Sequence, residues 1–212
     1  HKVASLMDKY VFPVDSGPEI VKLPAIFMHD IEPFYIWMDL YNSTEDERSP
    51  FFGQTYNEFE YEKKVYNYFI HPHWDEFGAE NLFLKIIYSD YEEGFAIIEF
   101  IGEWNDALGN DIMFLKRDVI EKLMNQGIFK FITLMEHVLN FHASDDSYYE
   151  EWNEEVAEEN GWICFINTLD HVSDEMKTVG LQRHIHFGKK WNDLNWRKMN
   201  PNALYDWVLQ RI

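Results

Sequence analysis

One short segment carries the residue types of a reactive site. It reads FHASDDSYYEEW, and it places His142, Ser144 and Asp145 close enough in sequence to suggest a base, a nucleophile and an orienting acid. Sequence neighbours on one loop rarely reach the geometry of a catalytic triad, and the chain has no G-x-S-x-G elbow. Ser147 and Glu150 have the spacing of a capping box, in which each side chain bonds the other residue's backbone N–H. The segment therefore predicts the start of a helix rather than a catalytic centre.

Two histidine pairs have a spacing that places both rings on one face of a strand. They are His71 with His73, which Asp75 follows, and His184 with His186. Imidazole nitrogens and carboxylate oxygens are common zinc ligands, so converging pairs would form a metal site and indicate a metal-dependent enzyme. In a sequence rich in aromatic residues, histidines also occur at strand ends without binding a metal. We therefore predict no metal and no other cofactor. The chain has no G-x-G-x-x-G fingerprint and no P-loop, which disfavours a nucleotide enzyme.

Charge and composition narrow the class of partner. The 212 residues carry a formal net charge of −20, and no Lys or Arg lies between Lys130 and Lys177. Such a surface repels phosphate backbones, so we expect no nucleic-acid partner.

Cys164, the single cysteine, lies in the apolar run WICFI, which excludes an internal disulfide and favours a reducing cytoplasm. No apolar run approaches the roughly 20 residues that cross a bilayer, so no membrane partner is expected.

Strands and helices alternate from residue 81 onward. A hairpin is predicted where two apolar runs flank the turn DYEEG, and their nearly continuous apolar character predicts a sheet covered on both faces. The first helix should be capped by Asn110 or Asp111 and end at Gly127. The run WICFINT is predicted to be the central strand. Predicted strands span 81–89, 95–102, 129–139, 162–168 and 182–187, and predicted helices follow residues 110, 147, 171 and 200.

This β-β-α-β-α-β-α-β-α order predicts an α/β fold, with helices packed on a mixed, mostly parallel sheet. Residues 1–80 are predicted to form an irregular, partly β N-terminal extension that packs on the main domain. Its candidate strands lie within 23–42 and 61–71, and residues 1–6, which precede Met7, are set aside from the fold. The main domain spans 81–188. The tail at 189–212 carries an amphipathic helix, and its basic residues could dock on the acidic second helix.

Residues 82–188, about half of the chain, resemble a STAS domain, the anti-sigma-factor antagonist fold, or its SpoIIAA-like relatives. The family's second strand ends in an "sGelD" pattern, which FAIIEFIGEWND matches through Gly102, Glu103 and Asp106 with a small insertion. Its last helix ends in "tGl", which TVGL matches through Gly180 and Leu181. The resemblance implies this fold and a non-enzymatic regulatory role through protein interaction.

In signalling members of that family, a D-S-S-G stretch before the second helix carries a phosphorylated serine. The corresponding residues here are SDDSY, which makes Ser144 and Ser147 candidate phosphoacceptors. Two departures from the pattern stand out, because Tyr148 replaces the glycine and Asp145 and Asp146 add carboxylates. These acids would repel a phosphate, or would supply a fixed negative charge in its place.

We therefore predict a cytoplasmic, non-enzymatic domain that regulates or binds a protein partner, or that associates with itself. Its interaction surface would comprise Asp145, Asp146, Glu150 and Glu151. One alternative is a protein that binds a small apolar ligand, because the many aromatic residues could line a pocket. A second alternative is the metal-dependent enzyme that uses the two histidine pairs.

Overall fold

The computed structural model describes residues 31–57, 59 and 61–212. Residues 1–6 and the first part of the candidate strand segment 23–42 lie outside this description. Within that segment, residues 36–40 form turns instead of the predicted strand. The second candidate segment holds a short hairpin of β1 (Lys64–Val65) and β2 (Tyr68–Phe69).

The main domain contains four longer strands and several helices. The strands are β3 (Leu82–Asp90), β4 (Phe95–Asn105), β5 (Lys130–His142) and β6 (Trp162–Ile166). The helices are α1 (Asp111–Leu115), a π-helical turn (Lys116–Ile120), α2 (Glu121–Met124), α3 (Ser147–Glu158), α4 (Asp170–Thr178) and α5 (Pro201–Leu209). Short 3-10 turns occur at Leu181–Arg183, Lys189–Trp191 and Trp196–Lys198.

The four strands form one sheet in the order β3-β4-β5-β6. β3 and β4 pair antiparallel as the predicted hairpin, and the pairs β4/β5 and β5/β6 are parallel. The predicted α/β fold with a mixed, mostly parallel sheet is therefore confirmed. Helices cross over between the parallel strands, as such pairs require.

Two details of the sheet differ from the prediction. β6 lies at the end of the strand order, so the apolar run that contains Cys164 is not the central strand. Its five residues form a ladder with the first five residues of β5, and burial of the other edge explains the apolar character of β6. The predicted strand 182–187 is reduced to one parallel bridge between His186 and Cys164.

The sheet is covered on both faces, as the apolar strands predicted. On the inner face, side chains such as Ile98, Phe100 and Phe131 pack against α1 to α4. On the outer face, alternate residues of the strands pack against Trp37 and the C-terminal tail, and they include Phe95, Ile97, Ile132, Leu134, Trp162, Cys164 and Ile166. The apolar residues of the tail thus lie on the face opposite α3, so this segment does not dock on the acidic helix.

Helix ends agree with the prediction in part. Asn200 accepts a hydrogen bond from the Ala203 N–H at 2.8 Å and caps α5, with Pro201 in its first turn, as predicted. Ser147, by contrast, is the first residue of α3, and Asp146 occupies the cap position. The predicted capping box between Ser147 and Glu150 is therefore wrong.

Candidate functional site

The candidate serines lie in the loop that joins β5 to α3, at the carboxyl end of the parallel strands. Both Ser144 and Ser147 are exposed. The Ser147 hydroxyl donates a 2.5 Å hydrogen bond to Asp145 Oδ1, which also accepts the Ser147 N–H at 3.1 Å. Within the described part of the chain, the Ser144 hydroxyl makes no hydrogen bond. Ser144 is therefore the serine whose hydroxyl is free to react.

The two aspartates beside these serines have different environments. Asp146 Oδ2 accepts a hydrogen bond from Arg183 Nη2 at 2.7 Å and lies 2.8 Å from His184 Nε2. These two contacts, that of Arg183 first, hold the pKa of Asp146 below its usual range. The hydrogen bonds from Ser147 lower the pKa of Asp145. Asp146 is thus neutralised by basic neighbours, whereas Asp145 presents its charge at the surface.

Asp106 joins three elements directly below this loop. Its Oδ1 accepts hydrogen bonds from Trp104 Nε1 at 2.9 Å and from the Ile112 N–H at 2.7 Å. Its Oδ2 accepts one from the Tyr149 hydroxyl at 2.5 Å. Burial raises the pKa of Asp106 to about 7, against these hydrogen bonds, which favour the charged form. Asp106 satisfies the Ile112 N–H in the first turn of α1, where Asn110 occupies the cap position without a side-chain bond, and it ties α3 to the end of β4.

A small cavity of about 70 Å³ lies between Asp106 and the loop. Asn110, Ser144, Asp145 and Ser147 are among the residues that line it. The structure thus brings both candidate serines and one predicted surface acid to the same cavity. His142 does not line this cavity, and its Nε2 lies 3.9 Å from Glu103 Oε1. His142, Ser144 and Asp145 therefore do not form a catalytic triad.

The acidic helix α3 has one buried face and one charged face. Tyr149, Trp152 and Val156 are buried against the sheet, as the sequence predicted. Glu150 and Glu154 are exposed and form no ion pair with described residues. Glu158 at the end of the helix is likewise exposed and forms no ion pair with described residues, so these three carboxylates are the unpaired acids of α3.

Part of the charged face is engaged within the protein. Lys116 Nζ lies 2.9 Å from Glu151 Oε1, 3.0 Å from Glu155 Oε2 and 3.1 Å from Glu121 Oε1. Lys116 is only 1% exposed. Burial alone would lower its pKa, but its hydrogen bonds to Glu151, Glu155 and Glu121 raise it. Glu151 therefore stabilises the contact between α3 and the π-helical turn, besides being exposed.

The outer face of the sheet holds a second set of polar residues that the sequence prediction missed. Glu99 is fully buried, and it accepts the Phe34 N–H at 2.8 Å and Arg197 Nη2 at 2.9 Å. Glu136 accepts hydrogen bonds from Arg197 and from Trp196 Nε1. Burial raises the pKa of Glu99 to about 7, although Phe34 and Arg197 oppose the shift.

A buried lysine stands beside Glu99 on the next strand. Lys85 pairs with Glu99 in the register of β3 and β4, and Lys85 Nζ lies 3.1 Å from Asp75 Oδ2 and 2.6 Å from the Tyr56 hydroxyl. The signal for both residues was present in the sequence, because Lys85 and Glu99 are single charges in the apolar runs NLFLKIIYS and FAIIEFIG. An unpaired charge in a strand buried on both faces is costly, so such residues require partners.

The two histidine pairs, which would have formed the metal site of the alternative interpretation, do not converge. His71 and His73 contact each other, with ring centroids 4.7 Å apart, whereas His184 contacts Asp146 and His186 contacts Trp191. Among described residues, the group of three with metal-ligating atoms within 4.8 Å of one another is Glu99, Glu136 and His137. Arg197 forms ion pairs with both carboxylates of that group, so its guanidinium occupies the position that a metal ion would take.

A mostly polar cavity of about 290 Å³ is lined by residues of the N-terminal extension, including Gln54, Lys63 and His71, and by Phe83 of β3. Two smaller cavities lie between the extension and the outer face. One, of about 140 Å³, is mostly apolar and is lined by residues that include Val65, Phe69, Ile101 and Leu139. The other, of about 130 Å³, lies against β3 and is lined by Lys85, Tyr56 and residues 33–35 and 41–44, among others. Across residues 31–57, 59 and 61–212, no helix combines the length and apolar character of a membrane span.

The fold and the site define a mixed α/β domain with an exposed, acidic helix start at the carboxyl end of its sheet. No family model matches the chain, and no curated protein matches it. The chain is similar in structure to a protein from Thermotoga maritima provisionally assigned as an anti-sigma factor antagonist. The TM-score is 0.40 and the identity 13%, over 59% of this chain and 92% of the other.

Proposed function

We propose that this chain is a regulatory domain of STAS-like type that binds a partner protein through the β5–α3 loop and the exposed side of α3. The binding surface comprises Asp145, Asp146, Glu150, Glu151 and Glu154. The observation that carries the proposal is the position of Ser144. It is exposed, its hydroxyl is unbonded within the described residues, and it precedes a helix of 12 residues.

Ser144 is the better phosphoacceptor of the two serines on chemical grounds. A kinase needs a hydroxyl that can leave its hydrogen bonds, and the Ser147 hydroxyl is held by Asp145 at 2.5 Å. The negative charges of Asp145 and Asp146 would repel a phosphate. Part of this repulsion is offset, because Asp146 already forms an ion pair with Arg183 and a hydrogen bond with His184. A phosphate on Ser144 would compete for Arg183, because a guanidinium binds phosphate oxygens well. Phosphorylation would thereby alter the surface at its centre.

The partner is expected to present lysine and arginine to this surface. Exposed acids without internal ion pairs, such as Glu150 and Glu154, attract a basic surface and steer its approach. Such an interaction weakens as salt is added, because exposed charges are screened. The cytoplasmic setting suggested by Cys164 stays a prediction.

Charge reversal tests this surface directly. Glu150→Lys combined with Glu154→Lys is expected to reduce the amount of partner captured from an extract of the producing cells by about tenfold or more, because like charges across an interface repel. The matched control combines Glu92→Lys with Glu93→Lys, which makes the same change in net charge at the opposite end of β4. Equal capture by both double variants, or loss only in the control, would remove this surface from the interaction.

The regulatory part of the proposal is tested in the same extract after addition of ATP. If Ser144 is the switch, ATP should change capture by the wild-type protein and by Ser147→Ala, but not by Ser144→Ala. If ATP changed capture equally for all three proteins, the proposed partner surface would not be affected, but Ser144 would be excluded as the switch.

A second candidate function is the binding of a small apolar ligand, which the 140 Å³ cavity favours. Cavities that hold lipid-sized molecules are larger, typically about 300–1,000 Å³. The inner core of this domain is filled by Phe100, Trp104 and Phe165, each at most 2% exposed. A filled core beside an exposed acidic helix favours the interaction function.

A further inference from the structure

The β3 cavity, which is the 130 Å³ cavity lined by Lys85 and Tyr56, has a set of hydrogen-bonded polar side chains in its wall. Lys85 is 8% exposed and Asp75 is 1% exposed. Lys85 Nζ donates to the Tyr56 hydroxyl at 2.6 Å and lies 3.1 Å from Asp75 Oδ2. The Tyr56 hydroxyl donates in turn to Asp75 Oδ1. An amine, a phenol and a carboxyl group are thus joined by two hydrogen bonds and one ion pair beside the cavity.

This lysine differs from the other buried lysine of the protein. Lys116 is 1% exposed, but three carboxylates surround its Nζ and raise its pKa, and it lines none of the cavities described above. Lys85 Nζ forms an ion pair with one carboxylate among described residues, that of Asp75, and burial lowers the pKa of Lys85. Burial also raises the pKa of Asp75. Both shifts favour transfer of the shared proton from the amine to the carboxyl group, since each disfavours the charged form.

We propose that Lys85 is a nucleophilic amine that forms an imine with a small aldehyde or ketone bound in the β3 cavity. A lysine desolvated in an apolar pocket is the form of this side chain that reacts with carbonyl carbons. The apolar side chains of Phe34, Met38 and Ile87 line the same cavity and suit the hydrocarbon part of such a compound. The site is independent of the proposed partner surface, because it lies on the outer face of the sheet.

The three side chains can carry out each proton transfer in imine formation. The Lys85 amine, with its extra proton on Asp75, attacks the carbonyl carbon as the C=O π bond breaks. The carbonyl oxygen takes a proton from Tyr56, which recovers it from Asp75, and the resulting carbinolamine nitrogen returns one of its protons to the Asp75 carboxylate. The carbinolamine hydroxyl then accepts a second proton from Tyr56 and leaves as water, while the nitrogen lone pair forms the C=N bond of a protonated imine. Tyr56 recovers its proton from Asp75 through the hydrogen bond that joins them. One carbonyl compound and one amine give one imine and one water, with no change of oxidation state.

The size of the cavity limits the carbonyl compound. An engineered cavity of about 150 Å³ holds benzene, so the β3 cavity accepts about six non-hydrogen atoms. A charged substituent would lose its hydration against the apolar part of the wall, which Phe34, Met38 and Ile87 form. The expected class is therefore a small, uncharged aliphatic aldehyde or ketone.

Reductive trapping tests the inference. The protein is incubated with limiting butanal, any imine is reduced with sodium borohydride, and the modified lysines are located by peptide mass spectrometry. We expect label at Lys85 before label at the half-exposed Lys63 and Lys122, and none at Lys116. Label on the exposed lysines with none on Lys85 would overturn the proposal.

Two variants separate the cavity from general lysine reactivity without removing the buried charge pair. Met38→Trp fills the cavity from its rim, where Met38 is 47% exposed, and should abolish label at Lys85 while leaving Lys122 unchanged. Tyr56→Phe keeps the ring but removes the proton donor, and should slow labelling of Lys85. Unchanged labelling of Lys85 in Met38→Trp would show that the compound does not reach the amine through this cavity.

Discussion

Gly102→Ala is expected to lower the free energy of unfolding by about 3 kcal/mol or more, since it combines backbone strain with overpacking. Gly102 has φ +123°, a conformation that only glycine adopts readily. A Cβ at this position would overlap the carbonyl oxygen of Asn81. That carbonyl cannot move away freely, because it accepts the Glu103 N–H at 2.8 Å. Urea unfolding of the wild-type protein and the variant measures the difference.

Gly127→Ala is the matched control for this variant. Gly127 also has a positive φ, +91°, but an added Cβ would have no neighbour within 4 Å. Gly127→Ala should therefore lower the free energy of unfolding by the cost of the strained backbone alone, about 1–2 kcal/mol. If the two variants lost the same stability, the close approach of Asn81 would not be the reason for glycine at position 102.

Arg197→Ala is expected to destabilise the protein more at pH 8 than at pH 5. At pH 8 the variant leaves the Glu99 carboxylate, which is fully buried, with the Phe34 N–H as its remaining hydrogen bond among described residues. Loss of one partner of a fully buried pair costs about 3–5 kcal/mol, and partial exposure of the Arg197 side chain, 38%, reduces this to about 2 kcal/mol. At pH 5 Glu99 is protonated, because its pKa lies at about 7, and the loss is smaller.

The sign of the pH dependence follows from the raised pKa of Glu99. A carboxyl group whose pKa is higher in the folded state, about 7, than its ordinary value of 4.5 binds its proton more tightly when folded. Its contribution to stability is therefore largest at low pH and is lost as the pH rises from about 4.5 through about 7. Unfolding measured from pH 5 to pH 8 should show the effect of Arg197→Ala growing as the pH passes about 7, where the wild-type Glu99 loses its proton.

Two controls isolate the buried pair. In a Glu99→Gln background, Arg197→Ala should lose most of its pH dependence, because no group at position 99 titrates. Lys198→Ala removes an adjacent, exposed positive charge that forms no ion pair with described residues, and it should change stability little at either pH. A pH-independent effect of Arg197→Ala would show that Glu99 is not its main partner.

The strand and helix pattern of residues 81–212 could be predicted because local signals agree with tertiary packing there. The hairpin at DYEEG, the first helix ending before Gly127 and the Asn200 cap all depend on neighbours within a few residues. The position of β6 could not be predicted in the same way. Its apolar run indicates burial on both faces, and burial at a covered edge gives the same pattern as burial at the centre.

The candidate site was predicted in part. The sequence located Ser144 and Ser147 at the start of a helix, but it could not show that Asp145 holds the Ser147 hydroxyl. The contacts of Asp146 with Arg183 and His184 join segments 37 and 38 residues apart, so no local pattern reports them. The same is true of Arg197 and Glu99, which are 98 residues apart. The lone charges of Lys85 and Glu99 in apolar strands were the available signal, and they indicated that each residue needs a partner without showing which one.

Carboxylate footprinting gives the most direct test of the proposed partner surface, because it works whether or not the partner has been identified. The protein is treated with a carbodiimide and glycinamide in buffer and in an extract of the producing cells, and modification of each acidic side chain is read by mass spectrometry. The proposed function predicts that Glu150 and Glu154 become protected in the extract, while Glu92 and Glu93 at the far end of β4 do not. Protection of Glu92 and Glu93 with continued modification of Glu150 and Glu154 would contradict it.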